Sequence, residues 1–131
     1  MKDKILYADD QDGLRTFYKA VFDSYLPEFE TEPFADGSSL ERRLEKSLEG
    51  VKVIFTDNEM PGIKGSEIIK THARRGKFKD IKFILYYGGD QSIGENLVKN
   101  HGAFAYLQKP AKPEDIVEII KKALNSTKLS Q

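Results

Sequence analysis

Two stretches, "VKVIFTD" (Val51–Asp57) and "IKFILYY" (Ile81–Tyr87), are apolar nearly throughout. A strand with one wet face alternates apolar and polar residues, whereas a run without alternation must be covered on both faces. Other strand-like runs are "KILYA" (Lys4–Ala8), "FETEPFA" (Phe29–Ala35) and "AFAYLQ" (Ala103–Gln108). Pro33 confines the second of these to a sheet edge, because proline cannot donate to a ladder.

Helical spacing fills the gaps between them. "DGLRTFYKAVFDSYL" places Leu14, Phe17, Tyr18, Val21, Phe22 and Tyr25 on one face. "SSLERRLEKSLEG" predicts a helix capped by Ser38 or Ser39, with Leu40, Leu44 and Leu48 inward and Gly50 as its stop. "GSEIIKTHARRG" and "QSIGENLVKNHG" read as helices, the second weakened by Gly94. "KPEDIVEIIKKALN" reads as the last, with Pro113 in its first turn and Ile116, Ile119, Ile120, Ala123 and Leu124 inward. Five strands alternating with five helices predict a parallel α/β sheet covered on both faces.

The 131 residues suit one domain, long enough to form a core without disulfide or metal. Lys plus Arg equals Asp plus Glu at 21 each, which argues against a sequence-independent nucleic-acid binder. No run is apolar enough for a membrane span, and acids interrupt the N-terminal segment where a signal peptide would be apolar. The absence of cysteine fits a cytoplasmic protein.

Ligands of open parallel sheets bind beyond the carboxyl ends of the strands. Those ends carry "ADDQ" with Asp9 and Asp10, "TDNEMPG" with Asp57 and Glu59, "YYGGD" with Tyr87, and "QKPAKP" with Lys109. Taken singly, the acids are helix caps or turn residues and the lysine is a surface residue. Strands one and three as neighbours would bring Asp9, Asp10 and Asp57 together. Clustered carboxylates repel unless a cation joins them, and oxygen donors without His or Cys suit a hard ion such as Mg²⁺ or Mn²⁺. With a lysine added, this is the equipment of phosphoryl transfer, and Asp57 can be the nucleophile.

These motifs, in this order, resemble the receiver domain of two-component response regulators, the CheY-like kind. The resemblance rests on Asp9-Asp10, on Asp57 with "NEMPG" and Gly65, and on "GAFAYLQKP". It implies a flavodoxin-like (βα)5 doubly wound sandwich, strand order 2-1-3-4-5, with the receiver over 1–125 and a short tail over 126–131. It implies that Asp57 is the phosphoacceptor, that Asp10 and Asp57 bind the metal with Asp9 helping, and that the Glu59 backbone carbonyl adds an oxygen. Lys109 would pair with the phosphoryl group, and Pro110 would follow a cis bond. Tyr106 stands where the family has an aromatic that swings between exposed and buried poses. The donor would be a histidine kinase or phosphotransfer protein. A downstream protein would dock on the last two helices and fifth strand, the surface through which receivers also form weak dimers.

Tyr87 departs from the pattern, standing where the family has Thr or Ser. A tyrosine hydroxyl sits several ångströms further out on a rigid ring, so the ring either leaves the pocket or lies over it. Glu59 occupies a position that influences phosphoaspartate hydrolysis in the family. His72 and His101 read as surface or half-buried residues. The leading expectation is a stand-alone receiver that is no enzyme beyond self-phosphorylation and self-dephosphorylation. The alternative is a degenerate receiver that docks proteins without phosphate. An aspartyl phosphatase fits poorly, since Asp57-Asn58-Glu59 is not Asp-x-Asp. A flavin site lacks its phosphate loop.

Overall fold

The computed structural model describes residues 2–129. Five strands, β1 (Lys4–Ala8), β2 (Glu30–Phe34), β3 (Val51–Thr56), β4 (Lys82–Tyr87) and β5 (Ala105–Gln108), form one sheet in the order 2-1-3-4-5. Every pairing is parallel. Between and after them come α1 (Asp12–Tyr25), α2 (Gly37–Leu44), α3 (Gly65–His72), α4 (Gln91–Asn100) and α5 (Pro113–Leu129). This is the flavodoxin-like arrangement expected from the sequence, with Pro33 on the edge strand β2.

The side-chain period of two divides the core between the faces. Leu6, Ala8, Ile54, Phe83 and Leu85 pack on α2, α3 and α4 through Leu40, Leu44, Ile68, Ile69 and Leu97. Their neighbours Ile5, Tyr7, Val53, Phe55, Ile84 and Tyr86 face α1 and α5, meeting Tyr18, Val21, Phe22, Ile116, Val117, Ile120 and Ala123. Strands fed from both sides explain why β3 and β4 lack alternation.

Helix α2 differs from the sequence reading. Its cap is Asp36, whose Oδ1 accepts the Ser39 N–H at 2.7 Å, so neither serine holds that position. The helix ends at Leu44, and Leu48 reaches the same core from a turn. Arg43 donates to the Ser47 carbonyl at 2.8 Å, giving the unwound segment a partner that a further helical turn would otherwise supply. Gly50 follows with φ +81°, the left-handed conformation that suits glycine.

His72 is also a correction. It is buried between α2 and α3, with Nε2 2.5 Å from Glu41 Oε1 and Nδ1 3.0 Å from the Arg75 guanidinium. Arg75 can only donate, so Nδ1 is the acceptor and Nε2–H faces Glu41. Spacing along one helix could not reveal Glu41, which comes from another. Of the segment 126–131, Ser126–Leu129 continue α5, and 130–131 lie outside the described residues. Among the described residues no helix is long and apolar enough to cross a membrane.

Candidate phosphoacceptor site

The backbone ladder runs one residue past three strand ends and fixes the site. Asp9 N–H donates to Phe34 O at 3.1 Å, Asp57 N–H to Ala8 O at 2.9 Å, and Lys109 N–H to Tyr87 O at 3.1 Å. Asp9 and Asp57 are thereby set side by side at adjacent strands. Neither Asp9 nor Asp10 caps α1, whose cap position is Gln11. One carboxylate oxygen from each of Asp9, Asp10 and Asp57 lies within 4.8 Å of the others.

Lys109 enters this cluster from β5. Its Nζ is 2.9 Å from Asp9 Oδ2 and 3.4 Å from Asp57 Oδ1, and stands 5.3 Å from the centre of the Tyr86 ring. One ammonium against three carboxylates leaves the cluster net negative. The donor set is all oxygen, which fits a hard divalent cation. Burial raises the Asp57 carboxyl above its ordinary range; Lys109 and the Asn58 N–H pull it back, and Asp9 pushes it up. Asp57 Oδ1 accepts the Asn58 N–H at 2.8 Å, whereas no donor among the described residues reaches Oδ2.

The loop after β3 is held tightly. Asn58 Oδ1 accepts the Ser66 N–H at 2.9 Å, and Thr56 Oγ1 donates to the Asp57 carbonyl at 2.8 Å. A Cβ on Gly65 would lie 2.0 Å from that carbonyl oxygen, so glycine is required for α3 to start this close to Asp57. The Lys109–Pro110 peptide is cis, as the motif implied.

Glu59 sits in the β3–α3 loop with its carboxylate outside the three-acid cluster. Tyr87 explains where it points: the tyrosine hydroxyl donates to Glu59 Oε1 at 3.3 Å, and Lys64 Nζ is 3.9 Å from Oε2. The Tyr87 ring presses on the chain at Gly89, where an added Cβ would meet the phenol oxygen at 2.1 Å. Its partner Tyr86 points to the opposite face, as alternation demands, and its hydroxyl accepts the Ala111 N–H at 2.8 Å.

Tyr106 is half-buried with its ring over α4, its hydroxyl 3.4 Å from the Tyr87 carbonyl. Gly94 makes room for it, since a Cβ there would come within 2.2 Å of the ring. Gly94→Ala sets two effects against each other. Helix propensity favours alanine by about 1 kcal/mol, while overpacking against a ring costs about 1–3 kcal/mol. The expected result is a net loss of stability with Tyr106 driven into solvent, read by denaturation and by quenching of tyrosine fluorescence. A net gain in stability would show that the ring is not seated there.

Three residues escaped the sequence reading. Tyr18 donates to Asp9 Oδ2 at 2.8 Å, Arg15 donates to the Asp9 carbonyl at 2.7 Å, and Asn58 ties β3 to α3. Tyr18 had one usable signal: a buried tyrosine needs a partner for its hydroxyl. Burial and the Asp9 hydrogen bond push that hydroxyl well above its ordinary titration range.

The family model for the response regulator receiver domain matches residues 5–121. The chain is a member of the response regulator receiver domain family. Sporulation initiation phosphotransferase F of Bacillus subtilis (strain 168) is 29% identical over 124 residues, covering 95% of each chain. A response regulator receiver domain protein from Clostridium thermocellum superposes with a TM-score of 0.86 at 25% identity, covering 98% of this chain and 99% of its own. A CheY-like receiver protein from Methanospirillum hungatei JF-1 gives 0.86 at 23% identity over the full length of both chains. The matched span contains Asp9, Asp10, Asp57, Tyr87 and Lys109.

Proposed function

We propose that this receiver accepts a phosphoryl group on Asp57 from a phosphohistidine of a histidine kinase or phosphotransfer protein and passes its state to a protein partner. The observation that carries this reading is Lys109 Nζ placed between buried Asp9 and Asp57. An Asp57 oxygen attacks phosphorus, the O–P bond forms as the P–N bond breaks, and the departing imidazole nitrogen takes a proton from solvent. Asp57 is then an acyl phosphate, and Lys109 pairs with its phosphoryl oxygens. Asp10, Asp57 and the Glu59 carbonyl would hold Mg²⁺ or Mn²⁺, with Asp9 helping; bound there, the ion neutralises charge on the phosphoryl group. The balanced charge of the chain favours a protein target over nucleic acid. The surface of α4, β5 and α5, bearing Tyr106 and exposed Val98, is the proposed docking face and the place for any weak dimer. A cysteine-free receiver fits the cytoplasm, where such kinases present their phosphohistidines.

Incubation with Mg²⁺ and a small phosphodonor tests this. One phosphoryl group should add by mass and be released by hydroxylamine; an unmodified protein would leave the phosphate-independent docking module. Tyr87 is the observation favouring that second reading, since its hydroxyl is engaged with Glu59. The two separate further with Tyr87→Thr. It removes the hydroxyl that holds Glu59, two residues from Asp57, so the phosphorylated form should hydrolyse severalfold faster. An unchanged lifetime and unchanged partner affinity would assign Tyr87 no part in the switch.

A further inference from the structure

Tyr18 lies on the inner face of α1 and is 1% exposed, and its partner Asp9 is 0% exposed. As core filler the ring would serve equally without its oxygen, as Phe22 does one turn later. The hydroxyl has a single side-chain bond, to Asp9 Oδ2. Its ring is held by edge contacts with Tyr7, Phe55 and Tyr86 at centroid distances of 6.2, 5.5 and 5.9 Å. A phenol clamped in this way is a donor with a fixed direction.

Three donors define the plane of the Asp9 carboxylate. Oδ2 accepts from Tyr18 and from Lys109, and Oδ1 accepts the Gln11 N–H at 3.0 Å. Of the two donors on Oδ2, Lys109 sits on a flexible four-carbon stem and Tyr18 does not. We infer that Tyr18 is a positioning residue for the acid cluster, fixing the Asp9 carboxylate so that a divalent cation meets a preset group. This rests on the cation-site reading given above. Without the Tyr18 hydroxyl, repulsion from Asp10 and Asp57 turns the Asp9 carboxylate, and the cluster must reorder when the cation arrives.

The test is Mg²⁺ binding by calorimetry on the full chain without phosphodonor. Partners that orient ligands are worth 10- to 100-fold in metal affinity, so Tyr18→Phe should weaken Mg²⁺ binding by about tenfold or more. Tyr7→Phe is the control, because it removes a buried hydroxyl from the same aromatic cluster and should leave the affinity within about twofold. A merely structural Tyr18 would lower thermal stability without moving the affinity, and that result overturns the inference while the cation site stands. Wild-type protein that binds no Mg²⁺ overturns both. Should Tyr18→Phe not fold, wild-type protein labelled with ¹³C at tyrosine Cζ carries the test. The Tyr18 resonance should shift with the Mg²⁺ titration, and a resonance that stays fixed overturns the inference.

Discussion

Asp57→Asn is expected to abolish phosphorylation by a small donor completely, while making the metal-free protein more stable near neutral pH. The first effect follows because the amide is no nucleophile. The second follows from burial. Asp57 titrates above its ordinary range in the folded protein. The folded state therefore holds that proton more tightly than the unfolded chain. Stability is lost as pH rises from the ordinary carboxylate value through the raised folded value. The amide variant has no such loss. Its advantage should be present at neutral pH and vanish near pH 3, below about the ordinary Asp pKa of 3.9. Added Mg²⁺ should narrow the gap at neutral pH by stabilising the wild type more. Thermal denaturation across pH checks the sign. A variant less stable than wild type at neutral pH would mean that hydrogen bonding, rather than burial, governs Asp57.

Lys109→Met should be the most destabilising change at the site. The methionine stem keeps contact with Tyr86, but Asp9 loses its ammonium while remaining wholly buried. Removing one partner of a buried ion pair costs about 3–5 kcal/mol, and the partial exposure of Lys109 places this case near the lower end. A surface lysine would cost almost nothing. Denaturant unfolding without metal decides between these magnitudes. Asp9→Asn in the same chain should restore most of the loss, because it removes the charge left unpaired. A loss below about 1 kcal/mol would show that solvent already screens the cluster. Phosphoryl uptake should also slow, since the remaining carboxylates repel the donor.

Much of this architecture is legible in local sequence. Burial on both faces is written into β3 and β4 as missing alternation, and Pro33 marks its strand as an edge. The acids Asp9, Asp10 and Asp57 and the lysine Lys109 could be singled out because parallel sheets bring ligands to strand ends. Boundaries were less legible where side chains competed for the backbone. Asp36 outcompeted two serines as a cap, and Arg43 ended α2 by bonding a carbonyl four residues on.

The sequence by itself determined the layers, the strand ends that matter and the residue types gathered there. These depend on period and composition, which a single chain displays. Only the tertiary structure decided which groups touch. Tyr18 meets Asp9, Tyr87 meets Glu59, and His72 meets Glu41 across different elements. Such pairings depend on helix rotation and rotamer choice in a close-packed interior, where a shift of about one ångström makes or breaks a hydrogen bond. Spacing along the chain carries no record of those distances.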